Sequence, residues 1–524
     1  MKNFRKKQTA AVLVITVLMF LFASCSLDHD IKQSDLISTD IAVEDISNKD
    51  EFCCVGAATV YSLDPFTDTS GYYDSIFAPL YDRLLCIDGN GNITPGLIES
   101  WNESEDGLSY SFKLKDKVYF SNGNPFTTEA LKLAWEYAKT EFKISGYAKW
   151  SVISSIDCTD KLNMTVHLRK TDPQFIINVA QSAYVEPETF RRVGAEKYWN
   201  NPIGCGRYVL ASRYPGKSIT FYKNENYWAD NSSNPSIITY VTADDAEARV
   251  KTFCEGKADM ILDIPYEHIN DVRSDVDVML IRTAGTTELW LGTQCKESSP
   301  CSDIMLRRAI SLCIDRSLIA VNIYGNGYPI YSSVPSYIFA KSDYSGNEFF
   351  RHDTESAREY LEKSSYDGET LKMIVPISKF GRVDEIVQTI NAMLSSIGIN
   401  TEIQMLEGAA YTSARGNGEY DLCLQSHRFV PYDIRWIWQQ FVYNHGKYHY
   451  DNDAALKLIT DAYHSKNLEE CTENINKALE IMSYDCAPMI PISVFETNGA
   501  YRSQWTGINI YSDGRFDIEN VIKK

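Results

Sequence analysis

Hydrophobic periodicity divides the chain into predicted strands and helices. The segments LSYSFKL (108–114) and LNMTVHL (162–168) alternate apolar and polar residues, which is the period of half-buried strands. His167 falls on the polar face of the second segment, so we expect it to face solvent. By contrast, residues 302–325 carry apolar side chains at helical spacing, and Ser302 is the candidate N-cap of that helix.

A second pattern predicts how some of these elements are arranged. VDEIVQTINAMLSSIGI (383–399) is helical by its period, and Gly398 stands where a helix would stop. It follows the apolar run LKMIVPI (371–377) and precedes NTEIQML (400–406), which gives strand, helix and strand in order. This is a βαβ unit with a parallel strand pair, so the predicted fold class is α/β.

The first residues predict an exported, anchored protein. A basic start precedes the apolar run 10–23, which is too short to span a bilayer as a mature helix. FASC then resembles a bacterial lipobox, whose cysteine is lipidated and becomes the new N-terminus. We therefore predict a lipoprotein signal peptide over 1–24, lipidation of Cys25 and an acidic tether over 25–51. The alternative is a plain signal peptide that Cys25 happens to follow.

Charge and length restrict the classes of partner. The chain has a formal net charge of -19, and removal of the four basic residues before Cys25 leaves 47 basic against 70 acidic residues. Such a surface argues against nucleic acid as a partner. The body from Phe52 to the end is long enough for two or three lobes with cores of their own.

Twelve cysteines remain besides Cys25, and their pattern is not that of a metal site. They are scattered, with no CxxC motif, and several lie inside apolar runs, where a free thiol behaves as a small buried hydrophobe. We expect most of them to be free. If any disulfide forms, Cys295 and Cys301 are the pair we expect to form it.

Catalytic motifs are missing from the sequence. The eight histidines are dispersed, and no GxSxG, HExxH or Walker A motif occurs, so we predict neither an enzyme nor a bound cofactor. His445 and His449 are four residues apart and could share a helix face as metal ligands do. No third ligand stands nearby, which favours an aromatic-rich loop and no metal site.

Eight sequence blocks in a fixed order point to a family. They are LDPF at Leu63, the long block 80–131, NPIGCGRYVL at Asn201, KNENYW at Lys223, DDAEARVKTFCEGKADMI at Asp244, LRRAISLCIDRSLIAVNIYGNGYP at Leu306, DTESAREYLEKSSYDG at Asp353 and APMIPI at Ala487. Over nearly its whole mature length the chain resembles the family 5 extracellular solute-binding proteins. These are the oligopeptide, dipeptide and nickel-chelate receptors of ABC importers.

The resemblance implies a type II (cluster C) periplasmic-binding-protein-like fold, in which two lobes close on a ligand. Lobe I would comprise 52–75, 198–286 and 487–524, lobe II would comprise 287–486, and residues 76–197 would form a domain inserted in lobe I. Two crossing segments would act as the hinge. The implied partners are a small solute and ABC permease subunits, for a monomer anchored through Cys25 outside the cytoplasmic membrane. An adhesin or a chemoreceptor-coupled sensor of the same fold is an alternative.

Glycines in these blocks have a predicted structural role. Gly204 and Gly206 flank Cys205 at a strand entrance, where close approach of another backbone needs the missing Cβ. Gly123 and Asn124 are expected to form a turn that leads into a helix.

The stretch SHRFVPYDIRW (426–436) falls where the family carries a ligand segment of lobe II. Peptide receptors commonly place there an aspartate that binds the peptide α-ammonium, and by count this position is Val430 here. The nickel-chelate branch has a similar His-Arg and Pro-Tyr-Asp pattern, but Arg435 stands where that branch has a metal-touching histidine. The two arginines with which that branch holds carboxylates correspond to Tyr147 and Ala183.

These correspondences give a candidate binding site. Arg435 cannot coordinate a metal but can bind a carboxylate through two hydrogen bonds, and aromatic side chains would form flat apolar walls. Core packing is the alternative for Tyr73, Trp290 and Trp436. Asp433 has an internal alternative, because it could pair with Arg428 or Arg435. We predict a peptide or peptide-like ligand, with a metal chelate or metallophore as the alternative. The candidate residues are Tyr73, Trp150, Trp290, His427, Arg428, Tyr432, Asp433, Arg435 and Trp436.

Overall fold

The computed structural model describes most of the chain beyond the predicted tether. The described residues are 50–66, 75–87, 92–141, 148–323, 328–329, 347–377, 382–428, 434–443, 446–486 and 488–524. They all belong to one compact unit, Ser47–Lys524.

Strands and helices alternate along the described residues. The strands are β1 (Glu51–Gly56), β2 (Leu85–Ile87), β3 (Ile93–Pro95), β4 (Ile98–Glu103), β5 (Ser109–Leu114), β6 (Ile153–Cys158), β7 (Asn163–Leu168), β8 (Tyr208–Tyr214), β9 (Ser218–Lys223), β10 (Ile237–Thr242), β11 (Met260–Leu262), β12 (Val278–Thr293), β13 (Tyr328–Pro329), β14 (Leu371–Pro376), β15 (Thr401–Leu406), β16 (Leu422–Arg428), β17 (Met489–Arg502), β18 (Trp505–Thr506) and β19 (Ile522–Lys523). The helices are α1 (Thr128–Glu141), α2 (Phe175–Ala180), α3 (Pro187–Val193), α4 (Ala195–Tyr198), α5 (Ala246–Cys254), α6 (Ile269–Arg273), α7 (Ile304–Cys313), α8 (Arg316–Leu318), α9 (Thr354–Glu362), α10 (Val383–Ser396), α11 (Gly408–Gly416), α12 (Ile434–Phe441), α13 (Asp453–Tyr463) and α14 (Leu468–Tyr484). No described helix is both long and apolar enough to cross a membrane.

One large sheet runs through most of the described chain. Its strands lie in the order β15-β14-β16-β12-β17-β11-β1-β10-β9-β8, and β13 pairs with β17. Strands β14 and β15 are parallel, with α10 between them in sequence. Gly398, just past the end of α10, has a φ of 98°, a conformation that glycine adopts without strain. The predicted βαβ unit and its stop at Gly398 are confirmed.

Two long strands, β12 and β17, occupy the middle of this sheet. They are antiparallel, and their register shifts between Ala284 and Glu288 of β12. The first half of β12 therefore pairs only with β17, whereas its second half also pairs with β16. A Cβ at Gly285, within the shift, would stand 2.4 Å from the Phe495 carbonyl oxygen, so this glycine allows the two backbones to approach.

A separate four-stranded sheet lies between residues 98 and 168. Its order is β4-β5-β7-β6, and all neighbours are antiparallel. Strand β5 alternates buried and exposed side chains, as its sequence predicts. His167 of β7 keeps 43% of its side chain exposed and lies 3.1 Å from the Asp157 carboxylate, which confirms that it is on the solvent side.

The N-cap prediction for the helix after residue 302 is wrong. Ser302 ends a short 3₁₀ turn, and Asp303 caps α7 instead, accepting a hydrogen bond of 2.8 Å from the Met305 amide. A carboxylate at the helix start also interacts favourably with the positive end of the helix dipole, which a serine hydroxyl does not match. The helix ends at Cys313, and the chain is helical again over α8 and over the π-helix Ile319–Ile323.

Backbone packing at the entrance to β8 agrees with the glycine prediction. A Cβ at Gly204 would stand 1.8 Å from the Leu80 carbonyl oxygen, and one at Gly206 would stand 2.4 Å from that of Pro79. The predicted turn is also present, since Gly123 has a φ of 87° and α1 begins soon after it at Thr128.

All twelve cysteines beyond Cys25, including Cys295 and Cys301, are free.

Candidate functional site

The stretch 426–436 connects a strand of the large sheet to a helix. His427 and Arg428 end β16, and α12 begins at Ile434. The residues between them, with candidates Tyr432 and Asp433, lie outside the described residues, as do Tyr73, Cys25 and the Arg428 side chain.

Three aromatic candidates meet where β16 faces α12. The His427 ring stacks on Trp436 with a centroid distance of 4.9 Å, and Trp436 meets Trp290 edge to face at 6.1 Å. Trp290 is 1% exposed, and its indole N–H donates a hydrogen bond of 3.4 Å to the Tyr448 hydroxyl. The structure therefore brings His427, Trp436 and Trp290 together as a continuous aromatic wall on one face of β12 and β16.

A buried polar network is joined to this wall through the Tyr448 hydroxyl. The Gln425 amide donates to the Tyr448 hydroxyl at 2.8 Å and contacts the Cys423 sulfur at 3.1 Å. Arg415 of α11 donates to the Gln425 carbonyl oxygen. Burial raises the pKa of Tyr448 to about 12, so its hydroxyl keeps its proton at neutral pH. The network holds Trp290 and its neighbours in one arrangement.

Arg435 has a protein partner. Its guanidinium lies 2.6 Å from a carboxylate oxygen of Asp172, a residue just before α2, and 9% of the Asp172 side chain is exposed. The other Asp172 oxygen accepts a hydrogen bond of 3.1 Å from the Gln174 amide. Asp172 was not among the candidates, because its contact with Arg435 spans 263 positions of sequence.

Other contacts also join the segment before α2 to helices α12 and α13, and together with the ion pair they form an interface. The Lys170 ammonium lies 5.2 Å from the centroid of the Tyr463 ring, and Tyr463 stacks on Trp438 at 4.7 Å. The Thr171 hydroxyl donates to the His464 carbonyl at 3.4 Å. The segment before α2 is thus held against α12 and α13 by an ion pair, a cation–π contact and a hydrogen bond.

Trp150 lies elsewhere, in an aromatic core. It is 2% exposed and stacks on Trp135 of α1 with a centroid distance of 5.4 Å. Ala183, which corresponds to an arginine of the nickel-chelate branch, is also buried. The structure does not place Trp150 beside His427 or Trp436 in any ring contact among the described residues.

Metal ligation has no support in the part of the chain that the structure describes. There, no group of three or more histidine, cysteine or acidic side chains is arranged to hold a metal ion. His449 adopts a positive φ of 54° outside any helix and lies 3.0 Å from the Gln294 side-chain oxygen.

The sequence reasoning also missed Glu288 of β12. It is 2% exposed and pairs in register with His427 of β16, so the two side chains share a face of the sheet. The signal was present in TTELWLGT, where a glutamate interrupts a run that otherwise becomes apolar.

Comparison with known proteins gives the family. The family model described as bacterial extracellular solute-binding proteins, family 5, matches residues 92–476. The chain belongs to this family. One relative, the glutathione-binding protein GsiB of Escherichia coli O6:K15:H31 (strain 536 / UPEC), is 22% identical over 483 residues, which cover 88% of this chain and 92% of GsiB.

Solved structures of family 5 proteins show the same fold. The dipeptide-binding protein from Pseudoalteromonas sp. SM9913, solved with Met-Leu, has a TM-score of 0.69 at 19% identity and covers 90% of this chain and 100% of its own. NikZ from Campylobacter jejuni, solved with Ni(L-His), has a TM-score of 0.71 at 17% identity and covers 91% and 100%. The predicted type II binding-protein fold is confirmed.

Proposed function

We propose that this family 5 protein captures a peptide or peptide-like solute between two lobes and delivers it to an ABC permease. Strands β12 and β17 are the proposed hinge, with lobe I made of 52–75, 198–286 and 487–524 and lobe II of 287–486. The observation that carries the proposal is the register shift between Ala284 and Glu288 of β12, because it lies at the proposed boundary between residues 286 and 287, where β12 pairs with β17. Residues 76–197 are the proposed inserted domain.

A peptide-like ligand is favoured over a metal chelate. GsiB is named for glutathione, and the Pseudoalteromonas protein was solved with a dipeptide, whereas NikZ was solved with a nickel complex. Arg435 stands where the nickel-chelate branch has a metal-touching histidine, and an always-charged guanidinium does not ligate metals. Receptor function requires binding and release without chemistry, so we propose no catalytic residue and no resident cofactor.

A true ligand is expected to raise the melting temperature. Binding to the folded state alone stabilises it by about 2.7 kcal/mol at a hundredfold excess over Kd. Native mass spectrometry of undialysed protein would identify a co-purified mass, and thermal melts with that compound would test it. A nickel or cobalt adduct would support the chelate instead, and turnover of the compound on long incubation would contradict the receptor proposal.

Membrane attachment is proposed to depend on Cys25. The Cys25→Ala variant is expected to leave the membrane fraction, because no thioether-linked lipid can form without the thiol. Fractionation followed by a salt wash is the measurement, and Cys158→Ala, which removes an exposed cysteine of the folded body, is the matched control. A Cys25→Ala variant that stays on washed membranes would contradict lipid anchoring.

A further inference from the structure

Glu288 is a buried carboxyl group to which no described residue is a partner. It is 2% exposed, and among the described residues it makes no hydrogen bond and no ion pair. Burial alone raises its pKa well above the ordinary value. An unpaired buried carboxylate is costly, and such groups in native structures call for a partner or a function.

Three arginines, on its own strand and on α11 and α12, are engaged with groups other than Glu288. On its own strand, Arg282 pairs with Glu496 of β17 at 2.6 Å. Arg415 of α11 donates to Gln425, and Arg435 of α12 pairs with Asp172. The titratable group directly opposite is His427 of β16, whose ring is stacked on Trp436. These contacts leave the carboxyl group of Glu288 without a described cation to neutralise it.

The surroundings of Glu288 suit a positively charged group. Glu288 and Trp290 are two residues apart on β12, opposite His427 and Gln425, so they share a face with the aromatic wall. Indole faces attract cations through their quadrupole. Two residues before Glu288, within the register shift, the buried Thr286 hydroxyl also lacks a hydrogen-bond partner. Two unsatisfied polar groups therefore lie at the proposed lobe boundary, beside aromatic rings.

We propose that Glu288, Thr286, Trp290 and Trp436 form a subsite for a primary ammonium group of the ligand. The ammonium donates hydrogen bonds to the Glu288 carboxylate and to the Thr286 oxygen, while the indole rings contact its positive charge. This inference rests on the proposed receptor function and narrows its ligand to amine-bearing solutes.

The test compares two randomised tripeptide libraries, one with free amino termini and one N-acetylated. Native mass spectrometry identifies the peptides retained by the wild-type protein, and calorimetry on the resynthesised peptides gives Kd. We expect retention of the free-amine library only. Glu288→Gln is expected to weaken binding about 30-fold or more, as loss of one partner of a buried charge pair does.

A stability readout separates this role from a structural one. Without ligand, Glu288→Gln is expected to raise the melting temperature, because an amide cannot ionise and so avoids the cost of desolvating a buried charge. The control is Glu496→Gln, which breaks the ion pair with Arg282 and is expected to lower the melting temperature while keeping the preference for free amines. The Kd is also measured for Glu288→Ala, which removes the carboxyl group with a different side chain.

Each other outcome contradicts a specific statement. Equal retention of both libraries, or an unchanged Kd in Glu288→Gln and Glu288→Ala, would overturn the ammonium subsite and leave peptide binding intact. Failure of the wild-type protein to retain either library would overturn the peptide ligand and the subsite together.

Discussion

Gly204→Ala is expected to lower the free energy of unfolding by about 4 kcal/mol or more, enough to prevent folding at 37 °C in a marginal protein. The added Cβ would stand 1.8 Å from the Leu80 carbonyl oxygen, and that oxygen accepts a hydrogen bond of 3.0 Å from the Gly206 amide. The Gly204 carbonyl itself accepts from the Ser121 amide at 2.9 Å. Relief of the clash must therefore move backbone that is bonded on both sides. Urea unfolding followed by circular dichroism measures the change.

The matched control for this substitution is Gly408→Ala. Gly408 is the first residue of α11, and an added Cβ there meets nothing within 4 Å. Alanine restricts the unfolded chain more than glycine, so we expect a neutral effect or a gain of about 0.4 to 1 kcal/mol. A Gly204→Ala protein as stable as wild type would show that the contact with Leu80 relaxes freely.

Features with a local cause could be predicted from the sequence. The alternation in SYSFKL and the helical spacing of 383–396 are repeated in the burial of those elements, because each buries one face against a core. Gly204 was predictable as a close-approach glycine because two glycines flanked one buried residue at a strand entrance. The prediction about Ser302 was wrong because two neighbouring residues competed for the cap, and Asp303 provides it.

Features that depend on distant pairings could not be predicted. The register shift in β12 requires β17 as its partner, and the burial of Glu288 requires β16 on its other side. A glutamate in an alternating strand is ordinarily on the solvent face, so the interrupted apolar run in TTELWLGT does not by itself show that Glu288 is buried. The partner of Arg435 was missed for the same reason, since Asp172 lies in a segment with no periodic signal.

The ion pair between Arg435 and Asp172 changes the expectation for Arg435 as a candidate binding residue. A guanidinium already bound to a buried carboxylate has fewer donors left for a ligand. It also connects the proposed inserted domain to proposed lobe II, together with the contact between Lys170 and Tyr463. We therefore propose that Arg435 acts on binding through this interface and not by direct contact with the ligand.

Arg435→Ala is expected to lower the free energy of unfolding by about 2 to 3 kcal/mol, because it leaves the Asp172 carboxylate buried without its cation. The lower part of the range for buried pairs applies, since 28% of the Arg435 side chain is exposed. Asp172→Asn keeps an oxygen for the Gln174 amide, so it removes the charge with little other change. If the two residues act as a pair, the double variant should lose less stability than the two single variants summed.

Ligand binding distinguishes the two roles of Arg435 when it is measured in the wild-type protein, the two single variants and the double variant. If Arg435 acts through Asp172, adding Arg435→Ala to the Asp172→Asn protein should leave Kd per folded molecule unchanged, because the interaction is already lost. If Arg435 instead binds a ligand carboxylate, the substitution should weaken binding by about 30-fold or more in either background, and Arg435→Lys should recover only part of that loss. Calorimetry with the co-purified ligand measures Kd, and a full loss in the Asp172→Asn background would return Arg435 to the binding site.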